Sequence, residues 1–207
     1  MSLPLDPQTM PEGFDYYDID SILSEENMVP CELRHGCTGL GTVLDPGSDV
    51  ASLPSGSRVD LPLWMVGVMA KRQLLQVGLP IYYKDHMRRK LRAGAGCESL
   101  RVRCTYFYTV AHKVHEAMVG CGGSDKSFPD FISGTFAGRY RDLLTKAPTL
   151  DSTADVSEIQ GKLSNEELEL FNLAVGSVSE HERWRGGGSG GGRSAGGVGG
   201  TKRVRGA

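Results

Sequence analysis

Cys31, His35 and Cys37 lie within seven residues, and thiolate and imidazole are ligands that zinc favours. A closed zinc site needs four ligands, and no second motif supplies the fourth. The C-x3-H-x-C spacing is also not a common zinc pattern, so ordinary strand and turn residues are the expectation and no metal is expected. Cys104 precedes His112 and His115, and a Cys–His pair could make a nucleophile. Cys104 falls, however, on the stripe Leu100, Cys104, Phe107, Ala111, Val114, Met118, which steps by three and four, and this predicts a buried structural thiol. Glu166, Glu167 and Glu169 fall in the first turn of a predicted helix, where the helix dipole accounts for carboxylates. The sequence holds no P-loop, GxGxxG, HExxH or GxSxG motif. No catalytic constellation survives, so the chain is read as not an enzyme, with no cofactor and no small-molecule substrate.

The 207 residues suit one domain or two small ones, and 39% hydrophobic residues can furnish a packed core. No segment reaches the length of about 20 apolar residues that a transmembrane helix needs, so no membrane association is expected. The first twenty residues have neither a basic nor an apolar region of the secretory kind, and an intracellular chain is expected. Five cysteines without a CxxC pair fit reduced thiols. The net charge of −2 conceals an asymmetry. Six bases and no acid lie from Arg183 onward, leaving 17 bases against 25 acids before them. An acidic body argues against nonspecific DNA binding by the folded part.

Residues 1–13 carry three prolines and are read as disordered. Residues 14–60 form a small β-rich module with a short leading helix, capped by Asp18 or Asp20. Its strands are expected at MVPCEL, LGTVL and SRVDL, with a glycine hairpin at CTGLGT and Pro30 marking an edge strand or a strand start. From Asp60, as cap, a helix with Pro62 in its first turn is expected to run to Gly78. Its apolar residues Trp64, Met65, Val66, Val68 and Met69 point in all directions, which predicts burial on every side. Further helices are expected from Leu79 to about Gly94, from Glu98 to Val119, and over Phe131 to Leu144. The segment KAPTLDSTADVSEIQGK reads as a polar connection. A last helix is opened by a capping box, Ser164 with Glu167, and a hydrophobic staple, Leu163 with Leu168. The helical domain is thus 61–185, and 186–207, half glycine, is a disordered Gly/Arg tail. The fold class is mainly α: a small β-rich module, then a helical bundle.

The order of several short motifs is the most specific signal. YYDIDSIL precedes MVPCEL; GSRVDLPLWM follows at Gly56 to Met65; LPIY follows at Leu79 to Tyr82; and Phe131, Phe136, Tyr140 and Arg141 close the series. This succession, from about Tyr16 to Trp184, resembles the GINS family and within it the third Psf type of subunit. The tail is not part of that pattern. The resemblance implies a helical and a β-rich module, with the β-rich one first, and no catalytic residues. It implies a nuclear, non-catalytic structural subunit of a heterotetramer, with three sister GINS subunits as partners. It further implies binding to the MCM motor ring and the third component of the CMG helicase in chromosomal DNA replication, with DNA engaged only indirectly. In that setting the surplus apolar surface is an interface. Leu61, Pro62, Leu63, Trp64, Tyr82, Phe107, Phe136 and Tyr140 are its candidate residues. The alternative is a nucleic-acid-binding adaptor using the basic helix face of Lys84, Arg88, Arg89, Lys90 and Arg92 together with the Arg/Gly tail.

Overall fold

The structure is a computed structural model, and it describes residues 17–44, 47, 49–123, 125–146 and 153–187. The expected disordered segment 1–13 and the tail from 188 onward lie outside the described residues. The architecture is mainly α, with a small antiparallel sheet near the N-terminus.

Helix α1 (Ile19–Glu25) starts where Asp18 accepts a hydrogen bond from the Asp20 amide at 3.2 Å. Strand β1 (Met28–Leu33) alternates, with Val29, Cys31 and Leu33 buried. It lies at the centre of a three-stranded sheet, between β4 (Arg58–Pro62) and β5 (Leu75–Val77). Pro30 is therefore not on an edge strand. It is tolerated because it occupies the last rung toward β5, where its carbonyl accepts from the Gly78 amide at 2.8 Å and only one ladder bond is forgone. The segment LGTVL is not a strand either. Gly41–Leu44 makes a helical turn, α2. The short strand β2 (Cys37–Thr38) pairs with β3 (Ser52–Leu53) and forms no tight hairpin. A glycine is needed at 41, since a Cβ there would lie 1.9 Å from the Val50 carbonyl oxygen.

Asp60 does not cap a helix; it stands in β4, opposite Pro30. Pro62 is the residue at which β4 ends and helix α3 (Leu63–Lys71) begins, with the Leu63 amide bonded to the Asn27 carbonyl at 3.0 Å. The helix stops seven residues earlier than expected. Its end is a Schellman motif with Gln73 at φ 58°, in which the Gln73 amide bonds Ala70 and the Leu74 amide bonds Met69. Gln73 holds this glycine-like conformation because its side chain is clamped. Its Oε1 accepts from Arg34 Nη1 at 2.7 Å and its Nε2 donates to the Gly120 carbonyl, while Arg34 Nη2 donates to the Cys121 carbonyl at 2.6 Å. The chain then re-enters the sheet as β5, a strand the apolar run LLQV had concealed inside a helix.

A 3-10 turn (Ile81–Tyr83) leads into α4 (Asp85–Ala93), and a second one (Ala95–Cys97) leads into α5 (Leu100–Arg103). The expected helix Glu98–Val119 is broken at Cys104, which is extended (φ −158°, ψ 118°), and resumes as α6 (Phe107–Gly120). The break carries a link, because the Thr105 carbonyl accepts from the Asn165 amide at 2.8 Å. Helix α7 (Ser127–Lys146) is followed by α8 (Thr153–Gln160), which lies inside the segment read as a polar connection. Helix α9 (Asn165–Gly187) continues two residues past the expected start of the tail.

One core joins the inner face of the sheet to α3, α4 and α6, with Leu33, Leu61, Leu75, Val66, Tyr83, Phe107 and Phe128 almost wholly buried. A smaller cluster, Leu143, Leu163 and Phe171, seats α9 on α7. The clamp at Gln73 makes one prediction. Gln73→Ala loses the side-chain bonds while keeping the unfavourable backbone, and should cost about 1–3 kcal/mol. Gln73→Gly loses the same bonds but accepts positive φ freely, and should cost measurably less; urea unfolding curves of the two variants would check this order.

Candidate interaction surface

Helix α1 is tied down along its polar edge. Lys113 of α6 donates to Ser24 Oγ at 3.0 Å and to Glu25 at 3.0 Å, Tyr106 donates to Asp20 at 2.7 Å, and Asn27 closes the helix end through the Leu23 and Ser24 carbonyls. The remaining faces of α1 leave Ile19, Ile22 and Leu23 exposed, and Met28 is exposed at the start of β1. α3 packs against α1 and leaves Trp64 53% exposed and Val68 55% exposed. The helix expected to be buried on every side is thus buried only through Leu63, Val66 and Ala70, because α6 and the sheet cover one side of it. Neighbouring elements α1, β1 and α3 therefore carry large apolar side chains into solvent, which costs free energy unless a second surface covers them.

The eight candidate interface residues divide by burial. Leu61, Leu63 and Phe107 are almost wholly buried in the chain's own core. Pro62 is half-buried at the strand-to-helix junction, Trp64 is exposed, and Tyr82 and Phe136 are half-buried. Tyr140 is 38% exposed and stacks on Phe136 with centroids 5.7 Å apart. Two residues the sequence did not single out connect these rings. Tyr83 meets Tyr82 at 4.6 Å and Phe107 at 4.9 Å, and Tyr108 meets Phe107 and Phe136 at 5.3 Å each. A continuous aromatic series so runs from Tyr82 through the core to the α7 surface.

Behind that series lies a charged centre. Arg139 of α7 and Glu167 of α9 are 3% and 1% exposed and form a bidentate pair, Nε–Oε1 2.6 Å and Nη2–Oε2 2.8 Å. Tyr108 donates its hydroxyl to Glu167 at 2.6 Å. Arg139 spends its other donors on the carbonyls of Ala95, Glu98 and Lys162. Burial followed by the nearby Glu167 carboxylate pushes the Tyr108 phenol well above its ordinary pKa, so it stays a donor. Burial opposes the charge on Arg139, but the Glu167 carboxylate holds its pKa above the ordinary guanidinium value. Glu167 also closes the predicted capping box, with its Oε2 on the Ser164 amide and Ser164 Oγ on the Glu167 amide. Glu166 does something different, accepting from the Tyr108 and Thr109 amides and so capping α6 from another helix. The helix dipole alone does not account for these carboxylates. The capping box pointed to Glu167, whereas nothing local to Arg139 marked it as buried.

Cys104 is buried with its thiol on Asn27 Oδ1 at 3.7 Å, and burial pushes its pKa up to about 11. His112 is exposed and paired with Glu116, so the structure does not bring the two together. Among the described residues no group of three His, Cys, Asp or Glu is placed to hold a metal. Among the described residues no helix is long and apolar enough to cross a membrane. The expected basic face is also smaller than read. Arg88 is buried, with its guanidinium against Phe128 and Phe131 and paired with Asp125 at 2.7 Å.

Residues 17–71, which contain α1, the sheet's first strands and α3, match the family model of the PSF3 N-terminal domain. The chain is PSF3-like. It is 28% identical over 169 residues to the probable DNA replication complex GINS protein PSF3 of Dictyostelium discoideum, covering 82% of this chain and 61% of that protein. It is 36% identical over 100 residues to the DNA replication complex GINS protein psf3 of Schizosaccharomyces pombe, covering 48% of this chain and 57% of that protein. With the PSF3 of Xenopus laevis it shares 25% identity over 184 residues, covering 88% and 85%. The matches thus span about six tenths of the first two relatives. The resemblance read from motif order is thus supported by the matched segment and by relatives that all carry the PSF3 name.

Arg139→Ala should destabilise the chain by about 3–5 kcal/mol by stranding a buried carboxylate. Arg139→Met combined with Glu167→Leu should recover part of that loss but not all, since Tyr108 and Ser164 lose their acceptor; a double-mutant cycle in urea measures it. With a thiol reagent at neutral pH, Cys37 and Cys97 should react in the native state, while buried Cys31, Cys104 and Cys121 should react only on unfolding. Fast native labelling of Cys104 would contradict the structural reading of that thiol.

Proposed function

We propose that this chain is a non-catalytic structural subunit of a heterotetrameric GINS complex that acts in DNA replication in the nucleus. Its partners are three sister subunits. Through the assembled complex it scaffolds the MCM motor ring and the third component of the CMG helicase, and meets DNA only indirectly. The observation that carries the reading is the uncovered apolar surface of α1, β1 and α3, Ile19, Met28, Trp64 and Val68, inside the very segment that matches the PSF3 N-terminal domain. Such a surface fits a permanent partner better than solvent. Trp64 is its central anchor, with Pro62 beside it, and Tyr82, Phe136 and Tyr140 offer a second aromatic edge. Leu61, Leu63 and Phe107 serve by holding the supporting core.

The test is co-expression with the three sister subunits and mass determination by light scattering. An equimolar four-subunit complex is expected. Trp64→Ala should weaken assembly by about 2 kcal/mol or more, as an interface anchor does. Because Trp64 is half-exposed, the same change should alter the chain's own unfolding far less. A Trp64→Ala chain that assembles as well as the parent, or a parent chain that ignores the three partners, would refute the proposal.

A further inference from the structure

Residues 84–103 hold seven bases and two acids in a chain whose net charge is −2. The structure removes one base from that count, since Arg88 is buried against Asp125. It also organises the rest. Glu98 bridges Lys90 of α4 at 3.1 Å and Arg103 of α5 at 3.9 Å, which brings a base of each helix to one carboxylate. Lys84, Arg89, Arg92 and Arg101 are exposed, and among the described residues none has a carboxylate within ion-pair distance. Two of the most exposed apolar side chains accompany them. Ile81, 79% exposed, sits in the turn that opens α4, and Val102, 80% exposed, stands between Arg101 and Arg103.

We propose that the α4–α5 surface is a docking site for an acidic, amphipathic segment of a partner protein. Unpaired cations select carboxylates and speed encounter, while Ile81 and Val102 offer apolar contact to leucine-like side chains between those acids. A nucleic acid fits less well. Single strands stack on exposed aromatic side chains, and residues 84–103 contain no Phe, Tyr or Trp. The remaining body is acidic and repels a long polyanion.

Three fluorescein-labelled probes test the assignment by anisotropy: a peptide of repeated Glu-Asp-Leu, the same peptide with every leucine replaced by glycine, and oligothymidine. Each is titrated into the full-length chain and, separately, into its co-expressed assembly. The Glu-Asp-Leu peptide should bind, with affinity falling as salt rises. It should bind more tightly than its glycine counterpart and than oligothymidine. Combining Arg89→Glu, Arg92→Glu and Arg101→Glu should weaken it roughly tenfold or more. The matching triple change to Gln, which carries less risk to folding, should give an intermediate loss. Reversal of exposed bases near the end of α9, Arg183→Glu with Arg185→Glu, should leave it unchanged. Tighter binding of oligothymidine that is lost on the same reversal would make this a nucleic-acid surface instead. Absence of peptide binding, or binding indifferent to the triple reversal, would reduce it to a solvated helix face.

Discussion

A guanidinium and a carboxylate removed from water must be compensated on every side, because the desolvation of each costs several kcal/mol. Arg139 and Glu167 meet this demand together. All five N–H donors of Arg139 are engaged: two by Glu167, three by backbone carbonyls from the 95–98 turn and from Lys162. Glu167 in turn serves Tyr108 of α6 and the Ser164 amide at the head of its own helix. Moving α6, α7 or α9 out of this packing breaks one or more of these bonds and leaves a buried polar group unpaired. The pair therefore acts less as a source of attraction than as a condition that only one arrangement satisfies.

The same logic extends outward through short polar links that join helix ends to one another. Glu166 caps α6 from α9, Asn165 bonds Thr105, and the Leu100 amide bonds the Lys162 carbonyl at 3.0 Å. On the opposite side Arg34 and Gln73 clasp the end of α6 and bind the sheet to the helices. Between these links the aromatic series from Tyr82 to Tyr140 fills the volume with rings in edge-to-face and stacked contact, geometries that aromatic quadrupoles favour. The β-rich part and the helical part consequently share one core.

A chain with so well specified an interior need not cover all of its surface itself. The apolar residues left outside on α1, β1 and α3 are not scattered singly; they belong to elements in contact, held through the side chains of Ser24 and Glu25 by Lys113 and through the backbone by Asn27 and the Leu63 amide. A surface pre-organised in this way loses little entropy when a partner covers it. On the basic surface Lys90 and Arg103 are held by Glu98. Two surfaces of different chemistry are thus presented by elements that share one core.

Much of this was legible in the sequence, and for identifiable reasons. Asp18, the alternation of MVPCEL, the stripe from Phe107 to Val114 and the Ser164–Glu167 box are local signals. Each depends on residues within a turn or a strand, and each appears where expected. The order of short motifs likewise pointed to the PSF3-like resemblance. What the sequence did not reveal depends on partners far along the chain. Gln73 ends α3 only because Arg34 and Gly120 stabilise a conformation usually reserved for glycine. Pro30 sits in a central strand only because β5 ends beside it. Cys104 is extended because Thr105 is drawn toward α9. Burial of Arg139 beside Glu167, burial of Arg88 in what looked like an open basic face, and exposure of Trp64 in what looked like a buried helix were decided by which elements meet. Local sequence determines which faces a segment could offer; the tertiary contacts determine which of them are covered, since burying a charge or exposing a ring is favourable only when a distant group compensates.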